Sequence, residues 1–106
     1  DSPLQYYPLT KQGERFPIAD SDKKPILTPK PNTRREYLHA ILQGISDVER
    51  EGFRTLGSLG AIPSIPHLVW TCGGGSKNDM WIQMRQHRLN QLLSDTSTTT
   101  TTTTTT

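Results

Sequence analysis

Gly73-Gly74-Gly75-Ser76-Lys77-Asn78 is the stretch of this chain whose residue types could do chemistry. It follows the apolar run Leu68-Val69-Trp70-Thr71-Cys72 and precedes the helix-like run Met80-Trp81-Ile82-Gln83-Met84-Arg85. A strand, a glycine turn and a helix start can together hold a phosphate or a nucleotide. Glycines let a ligand approach the backbone, and a helix N-terminus offers unpaired N–H groups and a partial positive charge. The stretch is not a P-loop, because no Gly-Lys-Ser/Thr closes it, and Asn78 stands where the third glycine of a dinucleotide fingerprint would be. On chain pattern alone, a tight strand-to-helix connection without ligand is the commoner outcome.

Other reactive side chains carry weaker signals. Cys72 has no locally paired histidine, and its strand position reads as a small buried side chain rather than a nucleophile. His39, His67 and His87 lack metal-ligand spacing, so neither a metal site nor a catalytic residue is assigned. Trp70 and Trp81 read as core residues rather than ligand stackers. Lys77 reads as an exposed lysine at a helix start rather than a phosphate contact. Arg85, His87 and Arg88 read as a solvated face.

The elements that must position the turn are few. At 106 residues the chain permits one small domain, and its apolar content of 31% is low for a globular one. Residues 1–32 form an extended, proline-rich arm. Leu4 to Leu9 and Phe16 to Ile18 are its candidate extended segments, open to a loose hairpin around Gly13. Tyr6, Tyr7 and Phe16 are large for a free linker, so the arm is expected to lie on a partner surface. Residues 33–59 are the clearest helix, roughly 40 Å long if continuous. Thr33 and Glu36 have capping-box spacing, and Tyr37, Leu38, Ile41, Leu42, Ile45, Val48, Phe53, Leu56 and Leu59 mark one face at helical period. Gly57 or Gly60 is expected to end it. His67 to Cys72 reads as a buried strand, and a second helix is expected from residue 77 or 79 to about 93, capped by Ser76 or Asn78. One strand cannot be a sheet, so its hydrogen-bond partners must come from the arm, from another chain or from further sequence. The threonine-rich end, residues 94–106, reads as a disordered tail.

Charge and hydropathy exclude several classes. A net charge of +2 with scattered basic residues does not point to nucleic acid. No apolar run approaches about 20 residues, so no membrane span is predicted. The polar, proline-containing start shows no targeting segment, and a single cysteine cannot form an internal disulfide.

Four motifs occur in order: Tyr6-Tyr7-Pro8-Leu9, Gly13-Glu14-Arg15-Phe16-Pro17, Tyr37-Leu38-His39-Ala40-Ile41-Leu42-Gln43-Gly44-Ile45 and Gly73-Gly74-Gly75-Ser76-Lys77-Asn78. With Trp81 and Arg85 they resemble the FGGY carbohydrate kinase family, in particular its ribulose/xylulose-kinase-like branch, over about residues 3–89. The resemblance implies an α/β fold: part of a C-terminal ribonuclease-H-like domain, the ATPase fold of actin, hexokinase and the sugar kinases. Residues 33–93 would be a fragment of its nucleotide-binding domain. It implies transfer of the γ-phosphoryl group of ATP, with Mg2+, to the hydroxyl of a ketopentose. Gly73, Gly74 and Gly75 would admit the nucleotide to the backbone, and Asn78 would make a polar contact. A cytoplasmic or plastid location is implied.

The sequence also departs from the family's pattern. No Asp-x-Gly-Thr phosphate loop is present, nor a residue matching the family's catalytic aspartate, nor the second phosphate-binding Gly-Thr turn. After Leu89 the family's Gly-x-Pro-Val strand is replaced by Asn90-Gln91-Leu92-Leu93-Ser94-Asp95 and then threonines. Phosphoryl transfer depends on positioning, metal and a base around the γ-phosphate. The expectation is therefore one wall of a nucleotide site, inactive alone and without tight ligand binding. The remainder of a kinase, or another chain, would complete the sheet. The alternative is a non-catalytic interaction or structural subunit derived from a kinase domain, with Ile41, Ile45 and Val48 facing a partner.

Overall fold

The computed structural model describes residues 1–93 and 101–104. In chain order these form helix α1 (Arg34–Ser58), strand β1 (Leu68–Thr71), a 3-10 turn (Gly74–Lys77), helix α2 (Asp79–Gln91) and strand β2 (Thr101–Thr104). The chain divides into two compact units, Asp1–Val48 and Glu49–Thr106, with the boundary inside α1. Among the described residues, no helix is long and apolar enough to cross a membrane.

The ends of α1 are set by local chemistry. Thr33 Oγ1 accepts the Glu36 N–H at 3.2 Å, satisfying one of the helix's orphan donors. At the other end, Ala61 N–H donates to Leu56 C=O at 3.0 Å and Gly60 N–H to Gly57 C=O at 3.2 Å. That pair of bonds is the Schellman motif, and it requires a left-handed residue, supplied by Gly60 at φ +99°.

In the first unit, the arm packs on its own helix rather than waiting for a partner. The buried residues of α1 are small or polar: Ala40, Gln43, Gly44 and Ser46. The apolar stripe expected to be buried is only partly so, with Leu38 55% and Ile45 38% exposed. The reason is the arm's backbone. Gln43 binds it as a second strand would, its Oε1 accepting the Ser2 N–H at 2.9 Å and its Nε2 donating to Ser2 C=O at 3.0 Å and Leu4 C=O at 3.3 Å. The chain then passes so close to Gly44 that a Cβ there would lie 2.7 Å from the Tyr6 carbonyl oxygen. Tyr6 is buried, edge-on to Tyr37 at 5.9 Å, and its hydroxyl donates to Pro29 C=O at 2.5 Å. The arm doubles back on itself through antiparallel bridges Tyr7–Ile26 and Glu14–Asp20, a wider loop than a hairpin about Gly13.

In the second unit, β1 is shorter and barer than expected. Leu68 and Trp70 are 45% and 61% exposed, whereas Thr71 is buried, so the strand alternates instead of being buried on both sides. Cys72, just beyond it, is exposed. The partner of β1 is β2, parallel, in the register Leu68–Thr101 to Thr71–Thr104. These four threonines lie within the tail expected to be disordered. Threonine is β-branched and suits a pleated strand, and the open edge of β1 gives it a ladder to join. The rest of that tail lies outside the described residues.

Two outcomes follow for the first unit. Gly44→Ala gains helix propensity but meets a backbone carbonyl, which cannot rotate away, so a net loss of about 1–3 kcal/mol is expected in urea unfolding. The Tyr7 hydroxyl donates to Glu14 Oε2 at 2.7 Å. Burial first, then that hydrogen bond and the Glu14 charge, push the Tyr7 phenol from 10.0 to about 12. Because the folded value is the higher, this contribution is complete below pH 10.0 and lost as pH rises towards about 12. Tyr7→Phe should remove a late step from the ultraviolet tyrosinate titration and flatten the loss of stability over that window.

Candidate functional site

The glycine turn begins one residue after Cys72. Gly73 has φ +86°, a conformation that side-chain-bearing residues rarely adopt, and it reverses the chain out of β1. Its carbonyl accepts twice, from the Ser76 N–H at 3.1 Å and from the Ser76 hydroxyl at 2.6 Å, and Ser76 is buried by this closure. Asn78 N–H donates to Gly75 C=O at 3.1 Å. The turn is thus closed on itself before α2 starts.

The four candidate residues of the turn have different surroundings. A Cβ on Gly73 or Gly74 would meet nothing within 4 Å, so both have open space beside the backbone. Gly75 does not: a Cβ there would lie 2.4 Å from Cζ3 of Trp81. Its lack of a side chain is required by the indole packed against it. Asn78, not Ser76, caps α2, with Oδ1 accepting the Trp81 N–H at 3.1 Å. Its side-chain N–H groups are left for other partners. Lys77 is exposed. The backbone of the turn is thus unobstructed beside Gly73 and Gly74 and closed beside Gly75. Among the described residues, no group of three or more His, Cys, Asp or Glu side chains could hold a metal ion.

Behind the turn lies a polar cluster that residue pattern did not foretell. Arg85 and Arg88, read as part of a solvated face, are buried at 7% and 4% exposure. Arg85 grips the Glu49 carboxylate with two bonds, Nε to Oε1 at 3.1 Å and Nη2 to Oε2 at 2.9 Å. Its Nη1 donates to Thr71 Oγ1 at 2.7 Å. The guanidinium also lies 5.5 Å from the centre of the Trp81 ring. The one sequence signal was the four-residue spacing of Trp81 and Arg85, which puts both on one helix face. Nothing in the sequence marks Glu49, 36 positions away, as the partner.

This chain is similar to the xylulose kinase of Bacillus subtilis (strain 168). The two are 35% identical over 80 residues, covering 74% of this chain and 15% of the relative. The similarity supports a relationship to a sugar kinase, of whose length this chain spans about a seventh. No family model matches the chain.

The unequal surroundings of the glycines are testable. Gly74→Ala should change stability by less than about 0.5 kcal/mol, as an open surface position does. Gly75→Ala must displace the Trp81 ring and should cost about 1–3 kcal/mol. Asn78→Ala removes the cap of α2 and should cost about 1 kcal/mol. Urea unfolding followed by tryptophan fluorescence separates the three.

Proposed function

We propose that this chain is a segment of an ATP-dependent sugar kinase and that the turn from Gly73 to Asn78 forms one wall of its nucleotide site. The open space beside Gly73 and Gly74, in a chain similar to a xylulose kinase, carries this reading. The segment belongs to the C-terminal, ribonuclease-H-like domain of the FGGY family, and the sugar is a ketopentose. The glycines give the nucleotide access to main-chain N–H groups, and Asn78 donates a hydrogen bond to it. When bound, Mg-ATP supplies the transferable phosphoryl group. The catalytic base, the phosphate loops and the metal ligands come from other parts of the kinase. One wall of a pocket gives little affinity, so Mg-ATP is expected to bind this chain at about millimolar Kd.

Amide chemical shifts recorded during a Mg-ATP titration test this. Shifts are expected to concentrate on Gly73, Gly74 and Asn78. Gly74→Val, whose Cβ meets no protein atom within 4 Å beyond its own stretch of chain, should abolish them while leaving the circular dichroism spectrum unchanged. Shifts that are absent, or that survive Gly74→Val, would remove the nucleotide wall.

A second reading is an interaction or structural subunit derived from a kinase domain. The exposure of Leu68 and Trp70 on one side of β1, and of Ile62 at 97%, favours it. It predicts concentration-dependent association in sedimentation that Trp70→Lys abolishes, and a chain that stays monomeric at all concentrations would exclude it.

A further inference from the structure

We propose that Arg85 is the positioning residue of the glycine turn: it holds both ends of the turn and keeps Trp81 against Gly75, so that Gly73 and Gly74 stay open. The functional consequence rests on the nucleotide reading; the positioning itself does not. The turn has two ends. Thr71, the last residue of β1, lies two residues before Gly73, and Trp81 lies in the first turn of α2, three residues after Asn78. Arg85 touches both, donating to Thr71 Oγ1 at 2.7 Å and lying 5.5 Å from the Trp81 ring. The fork on Glu49 of α1 fixes the guanidinium plane, because two parallel bonds to one carboxylate leave it a single orientation. Gly75 also places Trp81, because its missing Cβ leaves the space that the rim of the indole occupies. The indole therefore meets both a fixed cation and the turn. A lysine at position 85 would keep the charge but could not make the fork and the Thr71 bond together.

The residue touches no candidate ligand group, so its role shows as a change in the turn and not as a lost contact. The ring current of an indole this close displaces the Hα resonances of the glycine beside it, and Gly75 should show this displacement in the intact chain. Arg85→Lys should keep the helical circular dichroism of the chain, lose most of the Gly75 displacement, and lose the Mg-ATP-induced shifts at Gly73 and Gly74. Thr71→Val removes one hydroxyl and leaves the fork, so it should reduce the displacement without unfolding the chain even if Arg85→Lys does unfold it. A Gly75 displacement unchanged in Thr71→Val and in a folded Arg85→Lys would overturn the positioning role, whatever ATP does. A displacement that depends on Arg85 in a chain that shows no response to Mg-ATP would support the positioning role and remove only the nucleotide wall.

Discussion

Few side chains among the described residues are both apolar and buried, and that scarcity decides how each unit is held. Among the described residues the buried apolar side chains are Tyr6, Ala40, Leu89 and Leu93, whereas Gln43, Ser46, Thr71, Ser76, Arg85 and Arg88 are buried and polar. Apolar burial is non-directional, so a small core of this kind does not by itself fix where elements lie. Buried polar groups do, because each must find partners or lose the free energy of its hydration. In the first unit Gln43 takes that role, with both ends of its amide committed to the arm's backbone. In the second it falls to Arg85, whose guanidinium has contacts on α1, β1 and α2.

The same economy explains why the glycine motif is not one device. Three consecutive glycines invite a single interpretation, yet each answers a different physical demand. Gly73 supplies a backbone conformation, Gly75 supplies room for an indole, and Gly74 has open space on the side where a Cβ would stand. Only the absence of a side chain at Gly74 is left without an internal structural reason. A function that needs access to the backbone would act most directly there.

Local signals in the sequence were legible, and distant ones were not. The Thr33–Glu36 spacing marked the start of α1 because a cap is a contact across three residues. Gly60 and Asn78 were among the readable punctuation for the same reason. The arm's large side chains pointed to a surface but not to α1, since the Gln43 bonds to Ser2 join residues 41 positions apart and bind backbone, which has no residue type to recognise. The buried state of Arg85 was hidden because an arginine on an amphipathic helix is most often solvated, and its carboxylate partner is on another element. Leu68 and Trp70 misled in the opposite direction: strand-forming, apolar types predict burial, yet one side of β1 is uncovered.

Asn78 sharpens what kind of ligand contact the turn can offer. Its carbonyl oxygen is engaged by the Trp81 N–H, so the side chain can meet a ligand as a donor without disturbing α2. To accept a hydrogen bond from a ligand through that same oxygen it would have to share or release the cap, and losing the cap costs about 1 kcal/mol. Release would also loosen the first turn of α2, where Trp81 packs on Gly75. The Asn78 side chain therefore meets acceptor groups more readily than donors. The bias arises from helix capping alone.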